Sequence, residues 1–204
     1  MKAISLISGG FDSAVSSYIL KEKFDIVGLH FSLEPITDNQ TEKKSLGIAK
    51  KLGIEKLYVV KAGKYFAEIS KKCNQKFYFV LSKRFMIKVA EEIAKIENSN
   101  VIVTGENLAQ VSSQTLTNLS NIQRATDLEL IRPLLCYDKN EIIDFAREIG
   151  TFEISKGPEI CDLLGPKHPA TKSDIKVILE EEKKLNMNEM VKKAVENAKA
   201  ESFS

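Results

Sequence analysis

The 204-residue sequence predicts an α/β fold, in which helices cover both faces of a parallel five-stranded sheet. Two observations support this prediction: short apolar runs alternate with segments of helical periodicity, and turn-forming residues separate them. The sequence contains no apolar run of the ~18 residues that a membrane span requires. These features exclude membrane-spanning, fibrous and disordered classes.

Five apolar segments are the predicted strands, and each is followed by a turn or by a helical pattern. They are residues 3–7, 26–31, 56–60, 101–103 and a weaker segment before Arg132. We expect Asp12 or Ser13 to cap the first helix, Gly53 to end a helix over 39–52, and a longer helix to cover 85–94. Asp138 and Glu141 have the spacing of a capping box.

The domain organisation follows from the same pattern. Residues 1–170 form the predicted sheet domain, and residues 171–204 form a helical extension that packs on it, with two charged amphipathic helices over 173–200. The carboxyl ends of parallel strands lie at one edge of the sheet, where ligands bind. Segments 8–13, 30–33 and 104–110 should therefore converge on one cleft.

The most informative segment lies between the first strand and the first helix, and it reads Ser8, Gly9, Gly10, Phe11, Asp12, Ser13. A glycine pair lets the backbone approach a ligand closely, and the helix start offers free N–H groups that suit phosphate. The hydroxyl groups of Ser8 and Ser13 would add donors. Because a carboxylate repels phosphate, Asp12 implies an intervening Mg²⁺, held largely by substrate oxygens. The alternative is a plain Gly-Gly turn followed by an Asp cap.

This loop matches neither Gly-x4-Gly-Lys-Ser/Thr nor Gly-x-Gly-x-x-Gly, so it is not typical of γ-phosphate hydrolases or dinucleotide binders. Ser-Gly-Gly-x-Asp-Ser resembles the loop of the PP-loop ATP pyrophosphatases. That resemblance implies a Rossmann-like, adenine nucleotide alpha hydrolase-like fold. It also implies cleavage of ATP between the α- and β-phosphates.

Further motifs resemble the ATP-binding domain of the tRNA 4-thiouridine synthetase (tRNA sulfurtransferase) family, over about residues 3–198. They are Leu29-His30-Phe31, the segments 103–106 and 110–115, Arg132-Pro133-Leu134, 138–143, 149–151, 158–161 and 166–169. The resemblance implies that a uridine carbonyl of tRNA is adenylated, that pyrophosphate leaves, and that a persulfide sulfur then displaces AMP.

Roles for particular residues follow from this resemblance. The six-residue loop would hold the ATP phosphates, with the adenine near His30 and Phe31. Gly105 would approach the α-phosphate or ribose, and Gln110 would contact the nucleotide. His30 also fits a structural role at a strand end. Lys83, Arg84 and Arg132 would bind substrate phosphates, or Lys83 and Arg84 are ordinary surface charges.

The three cysteines have different expected roles. Cys161 lies in a Gly/Pro-rich loop at the position that matches the family's reactive cysteine, and together with Asp12 it is the candidate catalytic residue. Nearby Lys167 and His168 would favour its thiolate, although a small buried residue is the usual fate of a free cysteine. Cys136 is expected in the core, and Cys73 has no assigned role.

The expected partners are tRNA, a sulfur donor protein or sulfide, and in a homodimer a second copy of the chain. Residues 42–88 hold thirteen Lys or Arg and three Glu, and this basic segment is the candidate for RNA contact. Family members carry an amino-terminal RNA-binding domain, some also a rhodanese domain, and here the first predicted strand begins at residue 3. We therefore expect either that a partner subunit assists tRNA binding or that the substrate is not tRNA. The sparse, odd cysteine count predicts a cytoplasmic location.

One further departure and two alternatives complete the prediction. Phe79 and Ser82 stand where some relatives have a Cys-x-x-Cys pair, which removes two ligands of an iron–sulfur cluster. The ATP site also suits a synthetase that amidates an adenylated carbonyl, and in that case Cys161 would be dispensable. A third interpretation is an ATP-binding subunit without chemistry of its own.

Overall fold

The strands of the computed structural model, which describes residues 1–108, 111–157 and 163–203, form one sheet. The strands are β1 (Lys2–Leu6), β2 (Asp25–Ser32), β3 (Lys56–Lys61), β4 (Val101–Val103), β5 (Glu129–Ile131) and β6 (Lys199–Ser202). Their order across the sheet is β5-β4-β1-β2-β3-β6. The first five are parallel, with Ile4 of β1 level with Val27 of β2 and Ile102 of β4. The predicted parallel α/β sheet is confirmed.

Helices connect the strands and cover both faces. They are α1 (Phe11–Leu20), α2 (Gln40–Leu52), α3 (Gly63–Lys72), α4 (Tyr78–Glu97), α5 (Leu116–Gln123), α6 (Lys139–Glu148), α7 (Phe152–Ser155), α8 (Ile175–Glu182) and α9 (Met187–Glu196). Short 3-10 turns lie at Gln75–Phe77 and Ser112–Gln114. In the described part of the chain, no helix is both long and apolar enough to cross a membrane.

Alternating side chains of the strands supply two cores. Ile4, Val27 and Ile102 pack against α3, α4, α5, α8 and α9 on one face. Ala3, Ile26 and Val101, each one residue earlier, pack on the other face, against α1 and α2. A smaller cluster joins Val15 of α1 to α6 and α7. Both faces of the sheet are thus buried, as parallel sheets require.

The sheet has one strand more than the five that the sequence predicts. β6 pairs antiparallel with β3, and Tyr58 lies opposite Ala200. All four residues of β6 are exposed, so their sequence shows neither an apolar run nor the alternation of a half-buried strand. The carboxyl-terminal segment therefore ends in an edge strand, which periodicity could not predict.

Two capping predictions have opposite outcomes. Asp138 caps α6: its side chain accepts from Asn140 N at 2.8 Å, and Asp138 N donates to Glu141 Oε2 at 2.7 Å, which completes the capping box. The prediction for α1 is wrong. The residue before α1 is Gly10, no side chain caps the helix, and Asp12 lies in its first turn.

Candidate functional site

The Ser8–Ser13 loop leaves the carboxyl end of β1 and turns directly into α1. Gly9 has φ +92°, a conformation that side-chain-bearing residues rarely adopt. A Cβ at Gly9 would lie 3.0 Å from Lys44 Cβ and 3.3 Å from Thr41 O. The start of α2 therefore packs closely against the loop, and a side chain at position 9 would be both crowded and strained in its backbone conformation.

Hydrogen bonds within the loop fix its shape. Ser13 Oγ accepts from Ser8 N at 3.1 Å and donates to Gly10 O at 2.9 Å. Ser8 Oγ lies 3.2 Å from Ser13 Oγ and accepts from Gly10 N at 3.3 Å. The Ser13 hydroxyl is thus bonded within the loop, whereas the uncapped start of α1 keeps first-turn N–H groups available to an anion.

Gly105, after β4, contacts the start of α1. A Cβ at Gly105 would lie 2.7 Å from the carbonyl carbon and oxygen of Asp12 and 2.9 Å from Ser13 N. Because these are backbone atoms, they cannot move aside without distorting the loop. The predicted convergence of the loops after β1 and β4 is therefore observed as a direct backbone contact.

Asp12 forms an ion pair that the sequence did not predict. Both of its carboxylate oxygens accept from Lys139 Nζ, at 3.0 and 2.9 Å. Lys139 is the first residue of α6, and its side chain is 42% exposed against 25% for Asp12. A cationic group thus lies beside the loop. The Asp138-Lys139-x-Glu141 motif contained this lysine, but its spacing indicated only the helix cap.

Glu106, also absent from the predicted site, binds two of the predicted substrate-binding residues. Lys83 Nζ and Arg132 Nε each lie 2.7 Å from its carboxylate, and Thr104 Oγ1 donates to it at 3.2 Å. Burial would raise the pKa of Glu106, but the charges of Lys83 and Arg132 hold it below its usual value. Lys83 and Arg132 therefore share a buried carboxylate near the loop after β4.

Arg84 lies inside the protein. It is 1% exposed, and its guanidinium contacts the Glu182 carboxylate at 2.7 and 3.1 Å. It also donates to Asn121 O. These contacts join α4 to α5 and α8, so the geometry gives Arg84 a structural role and does not support the predicted contact with substrate phosphate.

His30 and Phe31 lie near the carboxyl end of β2. His30 is 1% exposed, and its Nδ1 lies 2.8 Å from both Ile7 O and Ser45 Oγ. Since a carbonyl oxygen only accepts, Nδ1–H donates to Ile7 O, and Nε2 is buried without a partner among the described residues. Burial lowers the pKa of His30 to about 4, so the ring is neutral at pH 7. Phe31 is half-buried, and its ring centroid lies 6.4 Å from that of Phe85.

Two predicted site residues, Gln110 and Cys161, lie outside the described residues. The other two cysteines are free thiols. Cys73 is buried beneath α8, and burial raises its pKa to about 11, which disfavours a thiolate. Cys136 is exposed, so its predicted place in the core is wrong: it lies in the turn between Arg132 and α6 rather than in a strand.

The basic segment 42–88 does not form one surface. Several of its cations are already paired: Lys56 with Glu97, Lys61 with Glu34, Lys72 with Glu68, Lys83 with Glu106 and Arg84 with Glu182. Its remaining lysines are divided between α2 on one face of the sheet and α3 to α4 on the other. The clustering in sequence therefore overstates the clustering in space.

The parallel sheet, the glycine loop and the uncapped α1 together define a PP-loop domain. The family model described as "Thiamine biosynthesis protein (ThiI)" matches residues 1–187, and the chain belongs to this family.

Similar proteins include "Probable tRNA sulfurtransferase" of Alkaliphilus oremlandii, which is 38% identical over 100% of this chain and 54% of its own length. The protein of the same name from Coxiella burnetii is 37% identical, over 96% of this chain and 52% of its own. The chain thus spans about half the length of the curated relatives it matches.

Two solved structures are also similar to this chain. The crystal structure of a 4-thiouridine synthetase–RNA complex with bound ATP matches with a TM-score of 0.94 and 34% identity, over 100% of this chain and 55% of that one. An NH3-dependent NAD synthetase from Campylobacter jejuni matches with a TM-score of 0.55 at 13% identity, over 96% of this chain and 84% of that one. The second likeness shows the fold alone.

Proposed function

We propose that this chain is the catalytic PP-loop domain of an ATP-dependent tRNA sulfurtransferase, which adenylates a uridine carbonyl and replaces its oxygen with sulfur. The Ser8–Ser13 loop is the observation on which the proposal depends. Its conformation is fixed by internal hydrogen bonds, and it delivers the free N–H groups of α1 to the edge of the sheet. The similar synthetase solved with ATP and RNA supports the choice of nucleotide and substrate.

The first step uses the loop as a diphosphate holder. With the β- and γ-phosphates at the start of α1, the α-phosphorus would be open to attack by the uridine oxygen. The bond between that phosphorus and the bridging oxygen then breaks, and pyrophosphate keeps the electron pair. Such a step needs charge neutralisation more than an acid or base. The α1 dipole and Lys139 beside Asp12 would supply that neutralisation.

Magnesium would enter with ATP as part of the substrate. Groups of three or more potential metal-binding side chains are not found in the described part of the chain. Asp12 is the acidic member of the loop, and Lys139 bonds both of its oxygens. The donor set therefore fits a metal that is held mainly by phosphate oxygens. Asp12 would contact this metal only from outside, in place of its present contact with Lys139.

The second step would use Cys161. A persulfide on this residue attacks the adenylated carbon through its terminal sulfur. The bond between that carbon and the former uridine oxygen breaks, and AMP leaves with the oxygen and the electron pair. A second thiol then breaks the sulfur–sulfur bond, which forms a disulfide and leaves the thiocarbonyl on the nucleoside. Cys73 does not fit the role of persulfide carrier, because its thiol is buried and its pKa is raised.

The partners of the proposed reaction are tRNA, a sulfur donor protein that passes its persulfide sulfur to Cys161, and in a homodimer a second copy of the chain. Sulfide could replace that donor only by attacking the adenylated carbon directly, without Cys161. An additional RNA-binding subunit would help to position the tRNA. A cytoplasmic location would keep the thiols reduced between cycles.

The test is an incubation of the chain with ATP, Mg²⁺, unmodified tRNA and a protein persulfide as the sulfur donor, with and without a cell extract that supplies partners. We expect AMP, pyrophosphate and thiolated tRNA. Cys161→Ser should abolish sulfur transfer and leave pyrophosphate release, with AMP still joined to the RNA, whereas the matched control Cys136→Ser should retain both pyrophosphate release and sulfur transfer. Absence of AMP under all conditions would contradict the proposal. Equal thiolation by Cys161→Ser would contradict the role of that cysteine.

A further inference from the structure

Two segments distant in sequence meet beside the carboxyl end of α3. Ala170 N donates to Lys76 O at 2.9 Å, and Ser70 Oγ donates to Leu164 O at 3.2 Å. Gly165 lies against the Phe79 ring so closely that a Cβ would lie 2.3 Å from its Cζ. The described part of the Gly/Pro-rich loop, residues 163–172, is therefore fixed against α3 and the 3-10 turn after it.

This contact gathers four exposed lysines. Lys71 and Lys76 come from α3 and the 3-10 turn, and Lys167 and Lys172 come from the loop. We call these four residues the lysine surface. None of them makes an ion pair within the described ranges, and the neighbouring Glu68 is bonded to Lys72 at 2.8 Å.

Hydrogen bonds connect the lysine surface to the start of α5. In sequence, Lys167 follows Cys161 by six residues. Thr115 Oγ1 donates to Thr171 O at 2.7 Å, and Asn118 Nδ2 donates to Ala170 O at 3.0 Å. These bonds attach the same loop to the start of α5, which follows the segment after β4 that contacts the PP-loop.

We propose that the lysine surface binds the phosphate backbone of RNA. The inference rests on the proposed function, which makes RNA the polyanion to be held at this edge of the domain. Uncompensated lysines on a flexible stem suit phosphates, which they contact as point charges without reading sequence.

The experiment measures binding of an unmodified tRNA transcript to the full chain over a series of salt concentrations. The test variant replaces three of the four lysines: Lys71→Gln, Lys76→Gln and Lys172→Gln. Lys167 is left unchanged because it follows the candidate catalytic Cys161 by only six residues in sequence. We expect the affinity to fall at least tenfold, and the slope of log K against log salt to shrink by about 0.7 to 0.9 for each phosphate that a lysine no longer neutralises.

The control variant removes the same charge from the opposite face of the sheet. Lys23, Lys43 and Lys51 are exposed and make no ion pair with the described residues, and α2 provides two of them. The triple Gln variant at these positions should bind tRNA within about twofold of wild type. Both variants should bind ATP as wild type does, because neither changes the PP-loop.

Three results would overturn the inference. Equal loss of tRNA affinity in both variants would show that binding depends on the net charge of the chain and not on the lysine surface. Wild-type affinity in the test variant would place RNA elsewhere, and the proposed function would stand. Displacement of tRNA by polyglutamate at equal charge concentration would indicate a surface for acidic protein. Failure to form AMP from ATP, in contrast, would contradict the proposed function whatever the lysine surface binds.

Discussion

The buried Arg84–Glu182 pair gives the sharpest test of how the carboxyl-terminal helices are held. Arg84 is 1% exposed, and the Glu182 side chain is 11% exposed. Two nitrogen–oxygen contacts join them, at 2.7 and 3.1 Å. Glu182→Gln removes the negative charge and leaves the guanidinium buried without its counter-ion.

The expected cost is large because the surviving charge stays inside the protein. Removing one partner of a buried ion pair destabilises a protein by about 3–5 kcal/mol, whereas replacing both by apolar residues is often neutral or favourable. We therefore expect Glu182→Gln to lower the free energy of unfolding by about 3 kcal/mol or more. Arg84→Met combined with Glu182→Leu should recover most of that loss.

Urea denaturation followed by circular dichroism measures these differences. The matched control is Glu92→Gln, which breaks an ion pair with Lys95 whose side chains are 43% and 59% exposed. Exposed pairs contribute about 0–1 kcal/mol, so this variant should stay close to wild type. A loss below about 1 kcal/mol for Glu182→Gln would refute the reasoning. So would a folded Arg84→Met, Glu182→Leu variant with reduced tRNA affinity, since that would restore Arg84 as a substrate contact.

Three further predictions concern the acid range and the loop. Burial favours protonation of Glu97, but hydrogen bonds from two lysines and a tyrosine lower its pKa to about 2. The stability that the Glu97 carboxylate provides is therefore present above pH 4.5 and is lost towards pH 2. Between pH 7 and 3, the urea midpoint of Glu97→Gln should fall less than that of wild type, and parallel curves would contradict this. His30 should remain neutral down to about pH 5 in an NMR titration, because burial lowers its pKa to about 4. The stability linked to the neutral ring falls as the pH drops from 6.5 to 4. A titration midpoint near pH 6.5 would disprove the burial of His30. Gly105→Ala forces a Cβ to 2.7 Å from the Asp12 backbone, and calorimetry should show ATP binding weakened at least tenfold. The control is Gly28→Ala, whose Cβ would lie 2.5 Å from Leu57 Cδ1 in the core; it should lower stability and leave ATP affinity unchanged.

The sequence was most informative where a local pattern decides the structure. The apolar run before Gly9 and Gly10 predicted the strand, the turn and the helix that follow, because each depends on neighbouring residues. The capping box of α6 was likewise predictable from residues three positions apart. The strands β1 to β4 belong to the same class, since burial on both faces makes them largely apolar, whereas β5 lies at the sheet edge with Glu129 exposed and gave a weaker signal.

Features that depend on distant residues were not predictable in this way. Lys139 reaches Asp12 across 127 positions, and Arg84 is buried only because α8 brings Glu182 to it, 98 positions away. In a single sequence, both cations look like ordinary surface charge. The same is true of Lys76, which lies beside the 163–172 loop because its backbone carbonyl accepts a hydrogen bond from Ala170 N.

The central claim is that the Ser8–Ser13 loop binds the outer phosphates of ATP, and calorimetry tests it most directly. We expect the wild-type chain to bind ATP in the presence of Mg²⁺, and inorganic diphosphate to compete with it. Gly9→Ala, whose Cβ would lie 3.0 Å from Lys44 Cβ at φ +92°, should lose both ligands while its circular dichroism spectrum stays unchanged. Wild-type protein that binds neither ligand, or ATP that diphosphate fails to displace, would contradict the claim.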